Sequence, residues 1–145
     1  MKRSISWLIP GAAAALLAVS ACGDESRDPV SPSLAAAAPG CSIQVTFPHS
    51  RFLTVPRNRV NLEATWFIKN TGTTTITLNS ETRRRSGRVI ATRGVESYPY
   101  TMPPGWSFDT ALLFDTGAAG SGTVGKTISA SCGSINLPDY FVTVQ

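Results

Sequence analysis

The chain has 145 residues, a formal net charge of +4 and only 15% charged residues. That length admits one modest hydrophobic core and no more. A single histidine excludes the common histidine-rich zinc centres, because one imidazole needs several further ligands.

Lys2 and Arg3 precede an apolar run, Ile5 to Ala21, that carries no charge. This is the layout of a secretory signal over residues 1–21, with small residues before the cut. The run is shorter than the roughly 20 residues of a membrane helix, and Pro10-Gly11 interrupts it. Val19-Ser20-Ala21-Cys22 resembles the bacterial lipobox. The resemblance implies cleavage before Cys22 and a diacylglyceryl thioether on its sulfur, an N-terminal lipid that anchors the protein to a membrane. The alternative is an ordinary signal cut after Ala21, with Cys22 incidental. Residues 22–40 read as a tether. Asp24, Glu25, Arg27 and Asp28 are charged, Pro29, Pro32 and Pro39 punctuate, and nothing can form a core. As a coil such a segment spans roughly 20–25 Å. Gly23 follows the cysteine, and aspartate comes one position later. That favours the outer membrane over the outer face of the plasma membrane.

Of the three cysteines, lipidation would occupy Cys22. Cys41 and Cys132 remain, in a compartment that permits disulfides, and are expected to pair. Two separate buried thiols are the alternative. No CxxC redox motif is present.

From residue 41 to 145 the hydrophobic period is two. Ile43, Val45 and Phe47 share a face with Cys41. Val60, Leu62, Ala64, Trp66 and Ile68 do so in a second strand from about Arg59 to Asn70, and Asn70-Thr71-Gly72 makes the turn. A threonine run with Ile76 and Leu78 forms a third strand, and Arg88 to Arg93 a weaker fourth. After Pro103-Pro104-Gly105, the residues Trp106, Phe108, Thr110, Leu112 and Phe114 alternate. The glycines from 117 to 125 read as a hairpin loop. Val124, Ile128, Ala130 and Cys132 follow, and Tyr140, Val142 and Val144 close the chain. The pattern predicts an all-β fold, a single antiparallel immunoglobulin-like β-sandwich of about seven strands over residues 41–145. Cys41 starts an odd strand and Cys132 ends an even one, so both fall at one end of the sandwich.

Trp66-Phe67-Ile68-Lys69-Asn70-Thr71-Gly72, followed by Thr75-Ile76-Thr77-Leu78 and later by Met102-Pro103-Pro104-Gly105-Trp106-Ser107, resembles bacterial immunoglobulin-like domains of the CARDB type. Gly87-Arg88-Val89-Ile90 with the later Pro-Gly is similar, more loosely, to the BsuPI-type proteinase-inhibitor domain. Both resemblances rest on turn chemistry and imply a fold rather than an activity.

No catalytic constellation is legible. His49 is the only conventional base, no G-x-S-x-G elbow exists, and calcium and nucleotide loops are absent. No enzyme, cofactor or metal is expected. The one charge anomaly is Arg83-Arg84-Arg85 with Arg88 and Arg93. Arginine suits phosphate and carboxylate, so these five are candidate anion-binding residues, against the plainer reading of a solvated, aggregation-resistant edge. Tyr98, Tyr100 and Trp106 are candidate aromatic contacts for a sugar or protein partner. Expected partners are the membrane, through the N-terminal lipid, and an envelope polysaccharide, an anionic lipid or a protein. Nucleic acid is not expected for a tethered exported domain. The function read from the sequence is a non-enzymatic binding or structural lipoprotein of the cell envelope. The alternative is a proteinase-inhibitor or chaperone-like module acting on exported proteins.

Overall fold

The computed structural model describes residues 39–145. The signal-peptide and lipidation assignments, Cys22 included, and nearly all of the 22–40 tether lie outside the described residues.

Ten strands form: β1 (Ile43–Thr46), β2 (Phe52–Val55), β3 (Leu62–Asn70), β4 (Ile76–Gly87), β5 (Val89–Gly94), β6 (Tyr100–Met102), β7 (Ser107–Thr116), β8 (Gly120–Ala130), β9 (Gly133–Asn136) and β10 (Tyr140–Val144). One sheet has the order β1-β3-β7-β5. The other has the order β2-β10-β8-β4-β6, with β9 also paired to β8. The expected all-β sandwich is present. The strand count is ten rather than about seven, because β2, β6 and β9 have four, three and four residues. The equally short β1 was legible because the alternation of Ile43 and Val45 extends beyond the strand, from Cys41 to Phe47. Nor is the fold antiparallel throughout: β2 runs parallel to β10. Residues 47–51 carry the chain from the edge of one sheet, at β1, to the edge of the other, and β2 arrives in the same direction as its neighbour.

Alternate residues of the long strands fill the core. Val45, Trp66, Ile68, Ile76, Leu78, Leu112, Val124 and Ile128 have no accessible surface. Each such burial contributes about 1.5–3 kcal/mol before entropy is counted. The Trp66 ring meets Tyr140 edge-on at 5.0 Å, and Tyr140 meets Phe47 edge-on at 5.1 Å. The polar ends of both large rings are satisfied: Trp66 Nε1 donates to the Pro138 carbonyl at 2.8 Å, and the Tyr140 hydroxyl donates to the Thr65 carbonyl. Burial pushes the Tyr140 phenol up to about 12.

Val60, expected inside, is 65% exposed. The alternation there was read across a turn. Asn58 and Asn61 take positive φ values of 54° and 60°, and β3 begins only at Leu62. The glycine-rich segment also differs from expectation. Gly120, Gly122 and Gly125 lie inside β8, and residues 117–119 pass between the two sheets instead of closing a hairpin. Gly122 is required by close approach: a Cβ there would stand 2.6 Å from the Ser86 carbonyl oxygen and 2.9 Å from the Arg88 nitrogen. Residues 83–85 lie within the long strand β4, which continues to Gly87.

Cys41 and Cys132 form a disulfide with their Cα atoms 6.1 Å apart. It links the residues before β1, in one sheet, to the turn between β8 and β9, in the other. The strand directions place residues 39–42, 71–75, 103–106 and 131–132 at this end of the sandwich. Residues 56–61, 87–88 and 117–120 lie at the opposite end.

Candidate anion-binding rim

The five arginines singled out in the sequence do not form one patch. Register decides where each goes. Glu81, Arg83 and Arg85 pair with Ile128, Lys126 and Val124, so they share the inward face of their sheet. Arg84 pairs with Gly125 and faces outward. Arg83 and Arg85 reach across the open side of the sandwich to β5. Arg83 Nη1 donates to the Thr92 carbonyl at 3.3 Å, and Arg85 Nη1 donates to the carbonyls of Ile90 and, at 3.4 Å, Val89. Arg84 is engaged differently: its Nη2 donates to Asp139 Oδ1 and to the Leu137 carbonyl, both at 2.7 Å. Arg93 donates to the Asn61 side-chain oxygen. Arg88 is exposed, and its guanidinium has no hydrogen bond or ion pair among the described residues.

Arg88 acquires different company from that expected. Its carbonyl accepts from the Gly117 N–H at 2.9 Å, while the Arg59 carbonyl accepts from the neighbouring Thr116 N–H at 2.8 Å. The two arginines therefore flank a single two-residue step. Asn58 N–H donates to the Gly117 carbonyl at 3.0 Å, and Arg57 N–H donates to the Gln145 carbonyl at 2.8 Å. Four backbone segments, at 57–59, 88, 116–117 and 145, are thus bonded into one rim that displays Arg57, Arg59 and Arg88, all exposed. None of the three guanidiniums is paired with a carboxylate among the described residues. Nearby Asp115 accepts instead from the Asn61 backbone N–H at 2.9 Å. Arg57 and Arg59 were missed in the sequence because the step that joins them to Arg88 is a long-range backbone contact. The signal within reach was the Arg-Asn-Arg spacing beside Pro56.

The aromatic candidates also separate. Tyr98 is half-buried and its hydroxyl donates to Glu81 Oε2 at 3.2 Å; burial, then the Glu81 and Glu96 carboxylates, push that phenol well above its ordinary value. Tyr100 stacks on Phe108 at 4.3 Å. Trp106 alone is an exposed ring, at the end opposite the rim. Tyr98 alone of the three comes near the arginines: its hydroxyl and the Arg83 Nε both lie against the Glu81 carboxylate, at 3.2 and 3.9 Å. A second exposed aromatic group went unread in the sequence: Phe52 and Phe141 stack at 5.2 Å on β2 and β10, with the Arg51 guanidinium 5.5 Å from each ring centroid.

The other missed residue is Lys126, fully buried between the sheets. Its ammonium donates to Glu81 Oε2 at 2.9 Å, Glu96 Oε2 at 3.0 Å and the Ala111 carbonyl at 2.7 Å, and it lies 5.9 Å from the Trp66 ring centroid. Burial alone would raise the Glu96 carboxyl. The Ala111 N–H and the Lys126 ammonium outweigh that and hold it below its ordinary value. Two carboxylates around one ammonium, closed off by core side chains, tie β4, β8 and the 95–99 segment together. Among the described residues no group of three or more His, Cys, Asp or Glu is arranged to hold a metal ion.

No protein-family model and no curated protein matches the chain. Solved structures do. The secreted serine protease VesC from Vibrio cholerae is similar at a TM-score of 0.51 and 18% identity, over 70% of this chain and 22% of that one. The VesB protease of the same organism gives 0.40 and 9%, over 73% and 32%. PapD-like domain 7 of human CEP192 gives 0.44 and 10%, over 89% and 95%. The chain spans less than a third of either protease. The likeness to VesC concerns the sandwich fold and carries no activity with it.

Proposed function

We propose that this protein is a lipid-anchored component of the cell envelope whose sandwich binds an anionic envelope polysaccharide through the rim of Arg57, Arg59 and Arg88. One observation carries the reading: three exposed arginines, free of carboxylate partners among the described residues, stand on mutually bonded segments at the end remote from the point where the tether joins. A rigid rim of like charge on a folded scaffold suits a polyanion, because each guanidinium offers paired donors to a carboxylate or phosphate. Arg85 and Arg93 add positive charge behind the rim while donating to backbone and amide oxygens. Arg84, neutralised by Asp139, does not belong to it. The anchor supplies the geometry: with the lipid at one end, the rim points away from the membrane that holds it. The reading is of a binder and not a catalyst.

The test is cosedimentation of the mature protein with isolated envelope polysaccharide over a salt series. Exposed charges are screened over about 8 Å at physiological ionic strength, so binding should weaken as salt rises. Replacing Arg57, Arg59 and Arg88 with serine should abolish most of the binding and leave the melting temperature unchanged. Binding that survives the triple replacement, or that ignores salt, defeats the proposal.

A further inference from the structure

The end of the sandwich opposite the rim is chemically its reverse. The segments gathered there, residues 39–42, 70–75, 103–107 and 131–134, contain no charged residue. They offer hydroxyls, prolines, glycines and one large exposed side chain, Trp106, at 56% exposure. The indole is not on a loose loop. Pro103 to Trp106 form a tight turn, with Trp106 N–H donating to the Pro103 carbonyl at 3.1 Å and Gly105 at φ 80°, the third-position conformation of a type II turn. Asn70, fully buried, bolts that turn down. Its N–H donates to the Trp106 carbonyl at 2.9 Å, its carbonyl accepts from Gly105 N–H at 2.8 Å, and its side-chain amide donates to the carbonyls of Met102 and Thr74. The chain from Cys22 also joins here: the Gly40 carbonyl accepts from Thr73 N–H at 2.8 Å, and Cys41 is bonded to Cys132.

We propose that this neutral end docks on the surface of the bilayer, with the Trp106 indole seated among the lipid headgroups. The inference rests on the lipid-anchor reading of Cys22. The occupant follows from the chain outside the described residues and from where it ends. Between Cys22 and Pro39 it could reach at most about 60 Å even if fully extended, so the end that receives it stays near the anchoring membrane. Indole, with an apolar body and one N–H, favours the headgroup level of a bilayer. No acidic group in these segments would meet headgroup phosphates, and the exposed charge that adjoins them, Lys69 opposite Ser107, is a cation that such phosphates attract. The turn is already fixed by Asn70, so docking orders little that is not ordered beforehand. Docking by this end stands the sandwich upright and holds the rim outward, two contacts at opposite poles of one rigid body.

The mature chain makes the test clean, since cleavage before Cys22 removes Trp7 and leaves only Trp66, fully buried, and Trp106. The lipidated protein would be reconstituted into phosphatidylcholine–phosphatidylglycerol vesicles, floated on a density gradient, and its fluorescence quenched from either side. Brominated acyl chains should quench the emission. Iodide in the water should quench it several-fold less than for protein released from vesicles in detergent. Both changes should vanish in a Trp106→Ser variant that still floats. Protein that floats but leaves Trp106 equally open to iodide overturns the docking and leaves the anchor standing. Protein that never floats overturns the anchor, and the docking falls with it.

Discussion

Arg83 and Lys126 stand opposite one another across the β4–β8 ladder, on the same inward face, yet Lys126 is fully buried and Arg83 is exposed. The difference lies in what covers them. Above Lys126 the facing sheet supplies the Trp66 ring and the Ala111 carbonyl. Arg83 lies one strand closer to the open side, where it meets the edge strand β5 through the Thr92 carbonyl and, at 3.9 Å, the Glu81 carboxylate of its own strand, and neither covers it.

Replacing Lys126 with methionine should be severe. It leaves Glu81 and Glu96 without their counter-ion, and breaking a buried charge pair typically costs about 3–5 kcal/mol. Chemical unfolding of the variant should show that loss. Adding Glu81→Gln and Glu96→Gln should recover part of it, because the stranded charges are then removed.

Acid should weaken the fold through Glu96. Its folded value lies below the ordinary 4.5, so the unfolded chain takes up a proton first. The stabilisation is fully present above the unfolded value and is lost as pH falls through the folded one. Melting temperatures measured downward from pH 5 should drop more steeply for the native protein than for Glu96→Gln. Equal slopes would mean that the carboxylate is not coupled to folding.

Much of the core was legible in the sequence because period two is a local property. Val45, Trp66, Ile68, Leu112 and Val124 announced their face within their own strands. Lys126 was missed although it falls on the inward parity of Val124 and Ile128; a lysine there breaks the pattern until Glu81 and Glu96, far away in sequence, are brought to it. The rim was not legible. It depends on Arg59 and Arg88 meeting at the Thr116–Gly117 step, a consequence of sheet order and not of spacing. Proximity in sequence misled in the same way, by joining Arg83, Arg84 and Arg85 although the pleat sends Arg84 to the opposite face.

Removing the disulfide should cost about as much as truncating one of the large core side chains. The bridge closes a span of 91 residues, and in the chain-entropy model a loop of that size is worth roughly 4–5 kcal/mol. A Cys41→Ser/Cys132→Ser protein, compared with the parent by denaturant titration, should have a lower midpoint and a steeper slope, because its unfolded chain is no longer held compact by the bridge.

Arg84 should behave unlike the rim arginines. Arg84→Ala removes hydrogen bonds to Asp139 and the Leu137 carbonyl at a partly exposed site, so a loss of about 1 kcal/mol in stability is expected, discounted for solvent screening. Polysaccharide binding should be unaffected. If binding falls instead while stability holds, the charged surface extends along the outer face of β4 and the rim has been drawn too narrowly.

Gly122→Ala should destabilise although it adds only a methyl group, because the Ser86 carbonyl oxygen and the Arg88 nitrogen that it would strike are backbone and cannot swing aside. A loss above about 1 kcal/mol in thermal unfolding is expected.

On the proposed reading, with a lipid at one pole and a polymer at the other, the sandwich would be under tension whenever the two move apart. Force arriving along the chain at Pro39 would first meet β1, a four-residue edge strand whose hydrogen bonds could peel one at a time. The bond between Cys41 and Cys132 intercepts it. Load passes through the sulfurs to the end of β8, which is flanked by β4 on one side and by β9 and β10 on the other. A pull there must shear several ladders together rather than unzip one. In that setting the cross-link is a mechanical coupling, and reducing it would turn a firm mooring into a fraying one.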